Sequence, residues 1–354
     1  MTDRLADHTT LRLGGPARRW VRATTEQELI EAVDEADRAG EPVLVLGGGS
    51  NLVVADEGFA GTVVEIATTG VISDADTTDR TRTSVCGGVL VTVAAGESWD
   101  AFVARAVESG WVGVEALSGI PGTVGATPIQ NVGAYGQEVA QTIARVRVWD
   151  RKLHGVRTFA AADCGFAYRT SRFKADRYDP ADASGGRHVV LDVTFQLPVG
   201  DTSAPVAYAE LARALGVEVG QRAGLADVRE AVLRLRAGKG MVLDPADHDT
   251  WSAGSFFTNP VVEPERVPEG APAYPQGDGT VKTSAAWLIE HAGFGKGHGN
   301  DRVSLSTKHT LALTNRGSAT TADLLDLARE VRAGVEKAYG IELVNEPVML
   351  GCAL

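Results

Sequence analysis

The chain has 354 residues, of which 44% are hydrophobic, and a formal net charge of −12. This acidic balance argues against a nucleic-acid or anionic-membrane surface and favours a small anionic metabolite, held by basic residues placed locally. The start lacks an apolar signal core, no stretch has the length of a membrane span, and Cys86, Cys164 and Cys352 are widely spaced. These features predict a cytoplasmic protein with no membrane insertion, no disulfide framework and no metal site.

The first predicted elements lead into a glycine-rich loop. Thr25 and Glu28 form a capping-box pattern that predicts a helix ending at Gly40, and a strand over residues 43–46 follows. The loop itself consists of Leu46, Gly47, Gly48, Gly49, Ser50 and Asn51. Glycines can present successive N–H groups to an anion, but the spacing matches neither a Walker loop nor a dinucleotide fingerprint. A simple glycine turn between two strands remains an alternative.

A second glycine-rich loop follows a polar stretch over residues 73–83, a strand over 85–95 and a helix capped by Ser98 and ended by Gly110. It contains Gly119, Ile120, Pro121, Gly122, Thr123 and Gly125, and it continues into a segment rich in small residues and side-chain amides that includes Gln130 and Asn131. Two such loops, each following a strand, favour a long diphosphate cofactor clamped between two lobes over a mononucleotide.

In the rest of the chain, three predicted strands are followed by three predicted helices and a final strand. Residues 146–149, 156–159 and 189–197 have the pattern of a half-buried antiparallel sheet, and a domain boundary is predicted near residues 201–205. Helices are predicted over residues 226–235, within 282–293 and over 321–338, and a long Pro- and Gly-rich loop over 263–279. A final strand over residues 341–350 carries Glu346 before Pro347.

Three polar residues lie in apolar surroundings where chemistry is possible. Arg169, flanked by aromatic residues, could clamp a carboxylate through two hydrogen bonds, and its alternative is a surface arginine. Ser255 lies beside a glycine and two aromatic residues, and its alternative is a turn serine. Glu346 on an apolar strand is either in a structural ion pair or catalytic. Sequence motifs of serine hydrolases and zinc enzymes are absent, and the role of His309 stays open.

Six segments in this order resemble the UDP-N-acetylenolpyruvoylglucosamine reductases, the MurB family. The segments are Leu46 to Asn51, Gly119 to Gly125, Gln130 to Gly136, the Tyr168–Arg169–x–Ser171–x–Phe173–Lys174 motif, Gly254 to Pro260, and Glu346–Pro347. The resemblance implies an α+β fold, with an FAD-binding fold of the vanillyl-alcohol-oxidase type in two subdomains plus a third α+β substrate-binding domain. The segment over residues 206–211 and the loop bearing Tyr274 resemble type I members of the family.

The resemblance also implies the reaction and the residues that carry it. NADPH would reduce noncovalently bound FAD, and UDP-N-acetylglucosamine enolpyruvate would be reduced to UDP-N-acetylmuramate for peptidoglycan synthesis. Arg169 and Glu346 match the pair that binds and polarises the substrate carboxylate, and Ser255 matches the proton donor. The glycine-rich loops, including Gln130 and Asn131, match the cofactor site. Substrate-binding positions are matched by Tyr168, Tyr208, Lys239, Asn259 and Tyr274.

The expected division of the chain is residues 1–70 and 71–204 for the two FAD-binding subdomains, 205–340 for the substrate-binding domain, and 341–354 for a strand returning to the active site. No obligate protein partner is expected. Two other interpretations stay open: a flavin-dependent sugar or alcohol oxidase of the same fold, and a protein that binds a UDP-sugar without turnover. Neither of them requires Arg169, Ser255 and Glu346 together.

Overall fold

A computed structural model describes residues 3–74, 88–179 and 185–354. The chain forms two compact units. The larger unit consists of Arg18–Gly48 and Ala60–Ala237, and the smaller unit of Met1–Ala17, Gly49–Phe59 and Gly238–Leu354.

Helices and strands are interspersed along the chain. The α-helices are α1 (Glu26–Arg38), α2 (Trp99–Glu108), α3 (Thr127–Gln130), α4 (Arg172–Ala175), α5 (Ala209–Leu215), α6 (Leu225–Gly238), α7 (Ala285–His291) and α8 (Thr321–Tyr339). The first strands are β1 (Ala17–Ala23), β2 (Val43–Leu46), β3 (Leu52–Val54), β4 (Phe59–Ile66), β5 (Val71–Ser73), β6 (Gly88–Ala94), β7 (Gly133–Ala134), β8 (Gln137–Glu138) and β9 (Ile143–Asp150). The remaining strands are β10 (Gly155–Ala160), β11 (His188–Pro198), β12 (Val261–Val262), β13 (Ala273–Pro275), β14 (Val281–Thr283), β15 (Val303–Leu305), β16 (Leu313–Asn315) and β17 (Val348–Leu350).

The larger unit is built on two sheets. One has the strand order β1-β4-β2, with β2 and β4 parallel, and the other has the order β10-β9-β11-β6-β5, with every neighbouring pair antiparallel. Aromatic residues of α2 pack on the second sheet, where the Phe102 and Phe195 rings stack with centroids 5.0 Å apart. The indole N–H of Trp99 donates to the Leu117 carbonyl over 3.1 Å, which ties α2 to the chain just before the second glycine-rich loop.

The smaller unit packs α7 and α8 around an apolar core that includes Phe256, Phe257 and Leu288. Its small sheets are β12-β14-β13, β15-β16 and the parallel pair β17-β3. In that pair Val348 lies opposite Leu52, so the C-terminal strand runs beside the chain that leaves the first glycine-rich loop.

Most local predictions are confirmed. The Thr25–Glu28 capping box is present at α1, Ser98 caps α2, and strands β2, β9, β10 and β11 lie where the patterns placed them. Strand β6 begins at Gly88, while residues 75–87, which hold most of the predicted polar loop, lie outside the described residues. Cys86 is among them.

Two predictions in the smaller unit are wrong. Tyr274 was expected in an irregular loop, but it lies in β13 and is paired with Lys282 of β14. The strand predicted over residues 341–350 is reduced to Val348–Leu350, because Pro347 has no N–H for a continuous ladder. No described helix combines the length and the apolar character needed to cross a membrane.

The predicted boundaries at residues 70, 204 and 340 do not coincide with the two units. Gly49–Phe59 belongs with the C-terminal part of the chain because β3 pairs with β17. Helix α5 and helix α6 as far as Ala237 belong to the larger unit. Gly238, the last residue of α6, belongs to the smaller unit. The division of the larger unit into two FAD-binding subdomains remains a prediction.

Candidate active site

The two glycine-rich loops meet inside the larger unit. A Cβ atom built on Gly47 would lie 2.6 Å from the Thr123 Oγ1 atom, and one built on Gly48 would lie 2.6 Å from the Gly122 Cα atom. Both distances are too short for any side chain, so the loops approach this closely because both positions are glycine. Gly49 continues the first loop in the smaller unit, where its carbonyl accepts the N–H of Thr10 over 3.2 Å.

Thr123 places a hydroxyl group at this contact. Its Oγ1 atom is buried and has no hydrogen-bond partner among residues 3–74, 88–179 and 185–354. A buried hydroxyl without a partner is costly, so the position is prepared for a polar ligand atom. Backbone N–H groups of glycine-rich loops together with such a hydroxyl are suited to the diphosphate of FAD.

Other members of the second loop are held by the protein. The N–H of Gly119 donates to the Asp100 carboxylate over 2.6 Å, and Arg229 of α6 donates to the same carboxylate through two nitrogens, over 2.7 and 2.9 Å. Burial would raise the pKa of Asp100, but the hydrogen bonds from Arg229 and Gly119 outweigh it and hold that pKa below its ordinary value. The N–H of Gly125 donates to the Ala95 carbonyl over 2.8 Å. Sequence reasoning missed Asp100 and Arg229, which carry no recognisable motif.

Asn131 ends α3, after Gln130, in a left-handed conformation with φ of 45°. Its amide nitrogen donates to the Glu138 carboxylate over 2.8 Å and to the Ala167 carbonyl over 3.1 Å, and its amide oxygen accepts the N–H of Ala140 over 3.2 Å. The Asn131 side chain therefore joins the end of α3 to the segment around residues 138–140 and to Ala167. Its contact with the cofactor remains a prediction.

Arg169 lies in a tight turn of the larger unit. Ala167 and Thr170 exchange both backbone hydrogen bonds, over 3.1 and 3.2 Å, and Arg169 has a φ of 52°. Its guanidinium donates to the Gly133 carbonyl over 3.2 Å. Strained backbone of this kind is concentrated at functional sites, where the surrounding structure holds it in place.

Two tyrosines predicted to bind substrate also lie in the larger unit, and both are partly exposed. Tyr168 precedes Arg169 in the turn, with the guanidinium carbon 5.6 Å from its ring centroid. Tyr208 precedes α5 and packs its ring edge-on against Tyr135, with centroids 5.7 Å apart.

The segments that carry Ser255 and Glu346 pair with each other in the smaller unit. The chain around Phe257 runs antiparallel to that around Asn345: the N–H of Glu346 donates to the Phe256 carbonyl over 2.8 Å, and the N–H of Thr258 donates to the Val344 carbonyl over 3.0 Å. Both Ser255 and Glu346 are half-buried. The two paired segments lie about ninety residues apart in the sequence, so their contact closes a long loop.

The end of the first glycine-rich loop lies beside the same pair. The side-chain amide of Asn51 reaches the Glu346 carbonyl over 3.5 Å, and the Asn51 carbonyl accepts the N–H of Val348 over 3.0 Å. Within the part of the chain that the structure describes, the Ser255 hydroxyl makes no hydrogen bond or ion pair. It is therefore available to a ligand.

The other predicted substrate residues of the smaller unit are spread over three elements. Lys239 follows α6 and is half-buried, and Tyr274 is 52% exposed on β13. The Asn259 side-chain oxygen accepts the N–H of Ala285 over 3.0 Å at the start of α7. His309 follows a turn in which the Ser306 hydroxyl accepts its N–H over 3.3 Å, and no role is assigned to it.

Comparison with known proteins identifies the family. A UDP-N-acetylenolpyruvoylglucosamine reductase of Cutibacterium acnes is 60% identical over 353 residues, covering 99% of this chain and 90% of the relative. The enzyme of the same name from Thermobifida fusca is 60% identical over 365 residues, covering 99% of this chain and 97% of the relative. The chain belongs to the UDP-N-acetylenolpyruvoylglucosamine reductase family.

Two family models match separate parts of this reductase. The model of an FAD binding domain matches residues 17–153, which include both glycine-rich loops, and the model of the UDP-N-acetylenolpyruvoylglucosamine reductase C-terminal domain matches residues 244–350, which include Ser255 and Glu346. Arg169 lies between the matched ranges. The crystal structure of the Thermus caldophilus reductase (MurB) has a TM-score of 0.61 at 24% identity and covers 99% of this chain and 98% of that chain. The predicted family and the predicted α+β FAD-binding fold are confirmed.

Proposed function

We propose that this reductase converts UDP-N-acetylglucosamine enolpyruvate to UDP-N-acetylmuramate in peptidoglycan precursor synthesis, with FAD as cofactor and NADPH as hydride donor. Full-length relatives at 60% identity that carry the reductase name support the reaction. The chain is an FAD-dependent oxidoreductase. The free thiols of Cys164 and Cys352 support a cytoplasmic location.

The cofactor would be held by the two glycine-rich loops. The close approach of Gly47 and Gly48 to Thr123 and Gly122 brings the backbones of the two loops together, and the buried Thr123 hydroxyl would donate to a diphosphate bound there. When bound, FAD supplies hydride transfer from NADPH to the enol ether of the substrate. The loops carry no histidine, so we propose noncovalent binding.

Arg169 would bind the substrate carboxylate. A guanidinium presents two parallel N–H groups to a carboxylate, and this pairing both orients the enolpyruvyl group and stabilises the negative charge that develops on it. The turn that holds Arg169 orders its backbone before the substrate arrives, which reduces the reorganisation needed at the moment of reaction.

Ser255 would donate a proton to the carbon next to the carboxylate. The observation that supports this role best is the pairing of the Ser255 segment with the Glu346 segment, with a Ser255 hydroxyl that has no protein partner among the described residues. A serine is a weak acid, but an enolate-like species is a strong base, so a positioned hydroxyl is sufficient. Glu346 would assist at the carboxylate.

The remaining residues would hold the uridine diphosphate and its sugar. Lys239 provides a positive charge for the diphosphate in an otherwise acidic protein. We assign Tyr168, Tyr208, Asn259 and Tyr274 to the same ligand.

Visible absorbance of the purified protein under anaerobic conditions tests the proposal. NADPH is expected to bleach the flavin spectrum, and the spectrum is expected to return only when UDP-N-acetylglucosamine enolpyruvate is added. A protein that cannot be loaded with FAD would show that the glycine-rich loops have another role. Recovery with oxygen but not with the enolpyruvyl sugar would favour an oxidase instead.

A further inference from the structure

The turn that carries Arg169 needs an explanation, because its backbone is unfavourable for an arginine. Arg169 is the third of the four turn residues Ala167 to Thr170, and its φ of 52° is left-handed. Turns that need this conformation at the third position usually have glycine or asparagine there. The arginine is kept in place by neighbouring groups rather than by its own preference.

Lys174 contacts this residue directly. Its Nζ atom donates to the backbone carbonyl of Arg169 over 3.0 Å. A hydrogen bond from an ammonium group to a carbonyl is stronger than one between neutral groups. Here it holds the carbonyl of Arg169, whose orientation is set by the left-handed backbone of that residue. The carbonyl of the strained residue is therefore fixed by a charged donor five positions along the chain.

The short helix α4 fixes Lys174 in turn. The Ser171 hydroxyl accepts the N–H of Lys174 over 3.3 Å and donates to the Ile129 carbonyl over 2.7 Å, which anchors the start of α4 to α3. The other side of the turn is anchored by Asn131, whose amide donates to the Ala167 carbonyl over 3.1 Å. The Arg169 turn is thus held from both sides by residues that end or begin a helix.

We infer that Lys174 is a positioning residue that holds the left-handed Arg169 peptide and thereby aims the guanidinium at the substrate carboxylate. The inference rests on the assignment of Arg169 to that carboxylate under the proposed function. Without the ammonium group the Arg169 carbonyl can rotate, the turn can relax, and part of the carboxylate-binding energy is then spent on ordering the side chain.

Equilibrium binding of two ligands to the oxidised, FAD-loaded protein isolates this effect. UDP-N-acetylglucosamine enolpyruvate carries the carboxylate and UDP-N-acetylglucosamine lacks it. The dissociation constant of UDP-N-acetylglucosamine divided by that of the enolpyruvyl sugar therefore measures what the enolpyruvyl group contributes to binding. In K174M we expect affinity for the enolpyruvyl sugar to fall about tenfold while affinity for UDP-N-acetylglucosamine stays unchanged, and K174R is expected to restore most of the ratio. A general structural role would weaken both ligands alike.

Three further variants make the outcome decisive. K152M removes an exposed lysine of the same unit and is expected to leave both affinities unchanged. R169M is expected to reduce the ratio at least as much as K174M, and an unchanged ratio in R169M would overturn both the assignment of Arg169 and this inference. A reduced ratio in R169M with a wild-type ratio in K174M would overturn the inference about Lys174 alone. Should K174M not fold, K174Q replaces it and the same ratio decides.

Discussion

The contact between the glycine-rich loops and the pairing of the segments that carry Ser255 and Glu346 are built in opposite ways. The loops approach each other because side chains are absent at Gly47 and Gly48. The Ser255 and Glu346 segments are joined by backbone hydrogen bonds, which do not depend on the identity of either side chain. Substitutions of Gly47 or Gly48 should therefore disturb the local fold and the cofactor, whereas substitutions at Ser255 should leave both intact and affect only the chemistry.

The largest effect is expected for Ser255→Ala. The hydroxyl has no hydrogen-bond partner among the described residues, so its loss should change neither the melting temperature nor the FAD content. Loss of the proton donor should slow the return of the flavin absorbance upon addition of the enolpyruvyl sugar by about 10²- to 10⁴-fold, while bleaching by NADPH keeps its rate. Anaerobic stopped-flow absorbance measures both half-reactions separately.

Ser252→Ala is the matched control for this prediction. The Ser252 hydroxyl accepts the N–H of Gly254 over 3.2 Å, so its role is structural. We expect S252A to lower the melting temperature and to keep the rate at which the enolpyruvyl sugar restores the flavin absorbance. Unimpaired recovery in S255A would contradict the assignment of Ser255 as proton donor.

Gly48→Ala should have the next largest effect, and on a different property. The new methyl group would lie 2.6 Å from the Gly122 Cα atom, so the loops have to separate. Overpacking of this kind destabilises proteins by about 1–3 kcal/mol, and we expect most of the bound FAD to be lost during purification. Gly277→Ala is the control, since a Cβ there meets nothing within 4 Å. Full FAD occupancy and normal stability in G48A would show that the loop contact is not needed.

The two regions also differ in how far they could be predicted from sequence. Capping boxes and glycine runs act within a few residues, so Thr25 with Glu28 correctly predicted the start of α1, and the glycine spacing indicated the two loops. The resemblance to the family named Ser255 and Glu346, but their pairing is a contact between distant segments, which periodicity does not encode. The prediction for Tyr274 was wrong because its pairing with Lys282 is a contact that the local composition does not show. The prediction for the tail before Val348 was wrong for a local reason, since Pro347 interrupts the strand.

Thr123→Val tests whether the Thr123 hydroxyl at the loop contact serves the cofactor, because the substitution should preserve the stability of the FAD-free protein and lower its affinity for FAD. Valine removes a buried hydroxyl that has no partner in the described residues, so the FAD-free protein should be at least as stable as the wild type. FAD affinity should fall about tenfold, as expected for the loss of one hydrogen bond to a charged group. Thermal unfolding of the FAD-free protein and fluorescence titration with FAD measure the two quantities.

Thr127→Val is the matched control four residues along. The Thr127 hydroxyl donates to the Val124 carbonyl over 2.8 Å, so its replacement should destabilise the FAD-free protein instead. A T123V protein that loses stability without losing FAD affinity would show that the Thr123 hydroxyl faces the protein and not the cofactor.

The smallest effect concerns the acid stability of the second loop. Because the folded protein holds the pKa of Asp100 below its ordinary value, its stabilisation is complete above the unfolded-state pKa of about 3.9 and is lost as the pH falls through the lower folded-state pKa. Asp100→Asn removes this carboxylate, so the free energy of unfolding, measured by denaturant titration from about pH 6 down to about pH 3, should depend less steeply on pH than in the wild type.

Asp301→Asn, at an exposed site, is the control, and its free energy of unfolding should change with pH in parallel with that of the wild type. A D100N curve as steep as the wild type would show that the Asp100 contacts to Gly119 and Arg229 do not stabilise the second loop.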